Sequence, residues 1–136
     1  MTCYKRVMKP LHNHLAQAAC LVLMHPTEPL ICTTTRRNGT LLGLPGGKMD
    51  PGESMAQTAI RETAEEVGVS VDPTTMEPLF SAMIVGDKDF WVETFVATSA
   101  TAEIQQMESG IKVQWSTWED FLSNNAFPMY NNAVYE

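Results

Sequence analysis

Glu53, Arg61, Glu62, Glu65 and Glu66 fall within fourteen consecutive residues, a density of carboxylates that calls for a counter-charge. Residues 54–67 contain no Pro or Gly, good helix formers dominate, and Gly68 follows where a helix C-cap belongs. The stretch therefore predicts a helix. On a wheel at about 100° per residue, Glu62, Glu65 and Glu66 share one face, and Ala56, Ile60, Ala64 and Val67 lie on the other. Like charges spaced i, i+3 and i+4 cost roughly a few tenths of a kcal/mol per pair on a bare helix. A hard divalent cation, Mg²⁺ or Mn²⁺, would relieve that repulsion. Such an ion takes carboxylate, carbonyl and water oxygens and keeps positions open for a substrate phosphate. Taken alone, E-x-x-E-E also describes a solvated acidic face, so the surrounding elements matter.

Ahead of the helix, Gly43-Leu-Pro-Gly-Gly47 and Asp50-Pro51-Gly52 read as loop. Residues 15–24 are a compact apolar run and residues 30–35 are β-branched-rich, so both predict strands, joined through Pro26 and Pro29 as an antiparallel pair. After a Pro-bounded linker at 73–78, residues 79–85 and 90–98 flank Gly86-Asp-Lys-Asp89 in the pattern of a hairpin. Residues 111–115 predict a further strand, and Ser116-x-x-Glu119 has the form of a capping box opening a second helix. Strands and two helices in this order imply an α/β (α+β) fold, a sandwich built round one sheet.

At 136 residues with 44% hydrophobic content, the chain is one domain's worth and can bury a core without disulfides or structural metal. The formal net charge is −7, and Arg36-Arg37 is the longest run of cations. Long nucleic acid is therefore excluded as a partner, because backbone binding needs clustered positive charge. A small phosphorylated substrate remains compatible if a divalent cation cancels both sets of negative charge. No apolar stretch approaches the roughly 20 residues of a bilayer span, so no membrane partner is expected. The first fifteen residues, which include His12-Asn13-His14, have no signal-peptide pattern. Cys3, Cys20 and Cys32 are odd in number and lack CxxC spacing. Free thiols and a cytoplasmic location follow as the expectation.

The run GKMDPGESMAQTAIRETAEEVGV at residues 47–69 resembles the Nudix box, GX5EX7REUXEEXGU, in which U is a bulky aliphatic residue. Thr63 at the first U position is the one departure. Eight of the nine specified positions match at fixed spacing, which makes the pattern specific. In the Nudix hydrolase family the box forms a loop, helix and loop set against a mixed sheet within an α/β/α sandwich. The resemblance implies metal ligation by Glu62, Glu65 and Glu66, with the carbonyl of Gly46 adding an oxygen. It also implies that Gly47 is a structural position, that Glu53 reaches the metals through water, and that Arg61 orients the carboxylates. The implied reaction is in-line attack of water on a phosphorus of a diphosphate linkage. Glu62 is the first candidate for the proton acceptor. Glu108, seven residues before Trp115, is the second, because MutT-type members carry a further acidic metal ligand ahead of a strand Trp; its other reading is a surface loop residue.

Two short patterns are similar to MutT-type nucleoside triphosphate pyrophosphohydrolases. Thr35-Arg36-Arg37 resembles a Thr-Arg-Arg whose second Arg reaches the nucleotide, and Phe127-Pro128-Met129-Tyr130-Asn131 resembles an F-P-x-x-N whose Asn bonds the base. Arg37 and Asn131 thus become substrate-binding candidates, against the alternatives of a solvated Arg and a turn Asn. Phe90, Trp91, Trp115 and Tyr130 could stack on a base or fill the core. The resemblance implies a small nucleotide substrate, a nucleoside triphosphate cleaved to monophosphate and pyrophosphate, oxidised purines included. ADP-ribose or a dinucleoside polyphosphate is the alternative substrate, and a non-catalytic nucleotide-sensing domain the alternative of another class. Homodimerisation is left open.

Overall fold

The computed structural model describes residues 4–5, 16–35, 38–84, 90–124 and 134–135. In chain order they form β1 (Tyr4–Lys5), β2 (Ala16–Met24), β3 (Ile31–Thr35), β4 (Leu42–Gly43), β5 (Gly46–Lys48), α1 (Met55–Val67), β6 (Glu77–Ile84), β7 (Phe90–Thr98), β8 (Val113–Ser116) and α2 (Trp118–Ser123). A short 3₁₀ turn, Pro73–Thr75, opens the linker before β6.

The sheet runs β1-β6-β7-β2-β3-β4, with β5 paired to β2 and β8 to β3. It is mixed. β2 lies parallel to β7 over nine positions, from Ala16↔Phe90 to Met24↔Thr98. The antiparallel pairing of β6 with β7 bears out the predicted hairpin, although β6 starts earlier than expected, at Glu77, and slips register between Pro78 and Phe80. The predicted pairing of β2 with β3 is antiparallel but is confined to Met24↔Ile31. Beyond that point β5 takes the place beside β2, through Ala18↔Lys48, Ala19↔Gly47 and Cys20↔Gly46. A glycine-rich loop thereby becomes a short strand.

Alternation along β2 feeds two cores. Ala19, Leu21 and Leu23 pack with Met55, Ala59 and Val67 of α1, whereas Val22 packs with Ile31, Leu44, Val92 and Phe121 of α2. One helix therefore covers each face, the arrangement of an α/β/α sandwich.

Ser54 caps α1 with reciprocal bonds to Gln57, at 3.1 Å from Gln57 N to Ser54 Oγ and 2.8 Å from Ser54 N to Gln57 Oε1. Gly68 ends the helix in the left-handed region at φ 75°. The second helix corrects the sequence reading. Its N-cap is Thr117, whose hydroxyl accepts from Asp120 N at 3.0 Å. Ser116 is committed elsewhere: it ends β8 opposite Ile31, and its hydroxyl lies 2.7 Å from that of Thr33.

A second correction concerns the buried side of α1. The buried residues are Met55, Thr58, Ala59, Thr63 and Val67, while Ala64 is exposed and Ala56 and Ile60 are half-buried. The inward arc thus includes the directions of Glu62 and Glu66, and small residues line it so that the helix can approach the sheet. Thr63 occupies this arc fully buried, and its Oγ1 has no hydrogen-bond partner among the described residues. An unmade bond at a buried hydroxyl is destabilising. Thr63→Val keeps the branched shape and removes that hydroxyl. Calorimetry should show a gain of about 1 kcal/mol, roughly 3 °C in Tm. A Tm that stays put or drops would mean that the hydroxyl is bonded in solution.

Candidate active site

β5 carries the backbone of Gly46 and Gly47 along β2, and the register continues at both ends through Leu21 N to Pro45 O at 3.0 Å and Met49 N to Gln17 O at 2.9 Å. α1 lies over this strand. A Cβ on Gly47 would fall 2.6 Å from Cδ of Glu62, and one on Gly46 would fall 2.7 Å from Sγ of Cys20. Only glycine leaves room for the Glu62 carboxylate there. The Gly46 N–H donates to Glu66 Oε1 at 3.2 Å.

Glu62 and Glu66 therefore point inward and meet. The Glu62 side chain is 16% exposed, and its carboxyl and that of Glu66 act on each other's proton affinity. Burial pushes the Glu66 carboxyl up to about 8, with the charges of Glu62 and Glu108 adding and the Gly46 N–H opposing. Burial also raises Glu62, against the pull of Arg61. Cys32 on β3 is pushed up to about 12, first by burial and then by the charge of Glu66, which keeps the thiol protonated.

Arg61 collects the remaining acids. Its Nε and Nη2 grip Glu53 at 2.7 and 3.1 Å, and Nη1 reaches Glu62 Oε2 at 3.3 Å and Glu65 Oε1 at 3.1 Å. Nη2 also donates to the Lys48 carbonyl at 3.1 Å and lies 3.4 Å from the Asp50 carboxylate. Arg61, together with the Asp50 N–H and the Thr58 hydroxyl, holds the Glu53 carboxyl down at about 2. Glu65 is 52% exposed and turned toward Arg61.

The resulting pattern is one inward pair, Glu62 and Glu66, with Arg61 linking Glu62 to Glu53, Glu65 and Asp50. Among the described residues, no three His, Cys, Asp or Glu side chains converge as a ready-made metal cage. Glu108 sits near enough for its charge to act on Glu66. Its loop is tied to the end of α1 by Gln105 N to Val67 O at 3.0 Å, and to β8 by Trp115 Nε1 to Ala102 O at 2.8 Å.

A model of the NUDIX domain matches residues 14–133. The chain belongs to the Nudix hydrolase family. It is 38% identical over 114 residues, 79% of this chain and 70% of the other, to the uncharacterized Nudix hydrolase YvcI of Bacillus subtilis. A MutT structure, from a comparison of the Aliivibrio salmonicida and Vibrio cholerae proteins, superposes with a TM-score of 0.69 at 25% identity, covering 88% of this chain and 92% of that one. The NUDIX domain of Shewanella oneidensis NrtR, cocrystallised with ADP ribose, shares the fold with a TM-score of 0.72 at 21% identity, covering 90% and 88% of the two chains.

Within this Nudix domain Arg37 and Asn131 lie outside the described residues, as do Tyr130, Cys3 and His12-Asn13-His14. Trp91 is core, and Trp115 is half-buried with its ring 4.7 Å from that of His25, edge to face. Sequence reasoning missed Thr58, Asp50 and the Lys48 carbonyl. Thr58 left one readable trace, a hydroxyl three residues before Arg61 on the same helix face.

Two outcomes follow for this Nudix site. Gly47→Ala should displace the Glu62 carboxylate and lower kcat/KM by about a hundredfold or more, a loss near 2.7 kcal/mol, measurable by steady-state hydrolysis. Glu66 binds its proton more tightly in the folded protein than in the unfolded chain. Its stabilisation is fully present below the ordinary value of 4.5 and is lost as pH rises through about 8. In EDTA, Tm should therefore decline between those values, and Glu66→Gln should flatten the decline.

Proposed function

We propose that this Nudix hydrolase cleaves a nucleoside triphosphate to the monophosphate and pyrophosphate, with Mg²⁺ as cofactor and Mn²⁺ able to replace it. The observation that carries the reading is the Glu62 and Glu66 pair buried against Gly46 and Gly47. Two carboxylates held together where burial disfavours their charge fit a hard divalent cation, and the lack of a Cβ on Gly47 leaves their approach open. Glu62, Glu66 and the Gly46 carbonyl would hold the ion, with Glu65 joining on release from Arg61 and Glu108 reached from its loop. Such an ion, once bound, would supply a lowered pKa for attacking water and neutralisation of phosphate charge.

The chain's own residues supply the rest. Glu62 is the leading proton acceptor, because it is buried next to a second carboxyl and tends to bind a proton. Glu53 and Arg61 orient the carboxylates. Arg37 and Asn131 are assigned to phosphate and base recognition from their sequence patterns, and an Asn amide can both donate to and accept from a purine edge. The likeness to MutT favours a triphosphate, and the fold shared with an ADP-ribose-bound domain keeps that diphosphate as the second reading. A cytoplasmic location accords with the free thiols of Cys20 and Cys32, and no described helix is long and apolar enough to cross a membrane.

Product analysis with Mg²⁺ on dNTPs, 8-oxo-dGTP, ADP-ribose and diadenosine tetraphosphate tests the proposal. Pyrophosphate release from one or more triphosphates is expected, and turnover of ADP-ribose alone would replace the first reading by the second. Glu66→Gln should lower turnover by about a hundredfold or more while circular dichroism stays unchanged. Wild-type rates in that variant would remove Glu66 from the site.

A further inference from the structure

We infer that Thr58 is a positioning residue of this site: its buried hydroxyl fixes the Glu53 carboxylate, and Glu53 in turn sets Arg61 and the acids that Arg61 holds. The inference rests on the proposed metal-dependent hydrolysis and concerns how its carboxylates are aimed.

Thr58 is fully buried on the first turn of α1. Its Oγ1 lies 3.0 Å from Glu53 Oε1 and 3.1 Å from the Ser54 carbonyl. One hydroxyl carries one proton, and a charged acceptor draws it more strongly than a carbonyl already bonded to the Thr58 N–H at 3.0 Å. Glu53 Oε1 then receives three donors, the Asp50 N–H at 2.9 Å, Thr58 Oγ1 at 3.0 Å and Arg61 Nη2 at 3.1 Å, while Oε2 receives Arg61 Nε at 2.7 Å. Three directions of restraint fix the carboxylate plane. The two-point contact carries that plane to the guanidinium, because a planar fork follows the carboxylate it is paired with. The far edge of the same guanidinium, Nη1, holds Glu62 and Glu65. A branched side chain with restricted χ1 is well suited to the first link.

Without the hydroxyl, Glu53 keeps its Arg61 contacts but loses the restraint from the helix side. The carboxylate can then tilt, and Glu62 and Glu65 shift with Arg61. Changes of this kind behind metal-binding carboxylates typically weaken metal affinity or activity by about ten- to a hundredfold. Thr58→Val removes the hydroxyl at nearly constant shape, and Thr58→Ser keeps it without the methyl group.

The experiment measures Mn²⁺ affinity of the nucleotide-free protein by water-proton relaxation, and kcat and KM separately with Mg²⁺, for wild type, Thr58→Val and Thr58→Ser. Melting and circular dichroism check the fold of each. Thr58→Val should bind Mn²⁺ about tenfold more weakly and lose kcat by a similar factor, with KM within about twofold. Thr58→Ser should return both to within about twofold of wild type. If Thr58→Val melts earlier but keeps its Mn²⁺ affinity and kcat, the hydroxyl serves the helix alone and the inference fails. It fails equally if Thr58→Ser is as impaired as Thr58→Val. Should the wild type hydrolyse no nucleotide, the proposed function falls, and the Mn²⁺ affinities of the three proteins still decide the role of Thr58.

Discussion

Two carboxylates pressed by a helix against a pair of glycines set the terms for the residues around them. Burying Glu62 and Glu66 together costs desolvation and repulsion at once. The helix adds to the cost, since Glu65 and Glu66 stand in its last turn, where no basic residue offsets the negative end of the dipole. What surrounds the pair reduces that cost or makes the approach possible. Gly46 supplies an N–H, Arg61 supplies a cation, and Thr58, Ala59 and Thr63 are small enough to let the backbone of α1 come close.

The acids separate into two kinds. Glu53 carries more donors than a carboxylate needs and stays ionised to low pH, whereas Glu66 is driven toward its protonated form near neutrality. Among the described residues, Arg61 holds Glu53 at two points and reaches Glu62, the neighbour of Glu66, but not Glu66 itself. A lysine there could not serve the same purpose, because one ammonium cannot hold Glu53 at two points and still reach Glu62 and Glu65.

The sequence made the box and its helix legible for a local reason: caps, breakers and spacing are all contained within residues 47–69. The buried face of α1 was less readable. Hydrophobicity placed Ala64 inside, but a small apolar side chain in a good helix-forming position is equally suited to solvent. The inward threonines and glutamates carry no apolar signal. Likewise β5 was masked by its glycines, which are poor strand formers, although the pairing with β2 requires their backbone alone. Ser116 and Thr117 are both plausible caps, and the choice between them depended on the tertiary bond from Ser116 to Thr33. The partner of Glu53 on Thr58 was hidden because threonine in a helix is far more often a filler than a donor.

The parallel pairing of β2 with β7 has a consequence for how the protein acquires its structure. Ala16 joins Phe90 and Met24 joins Thr98, so the middle of the sheet closes a loop that contains β5, α1 and the whole acidic cluster. Contacts so remote in sequence are slow to find, because the entropy of closing the intervening chain is lost before the ladder compensates for it. The contact of Gly46 with Glu66, only 20 residues apart, closes a much shorter loop and costs less entropy to form than this ladder. During synthesis the edge of β2 that pairs with β7 must wait for β7 to emerge, while its β3 and β5 partners are made earlier.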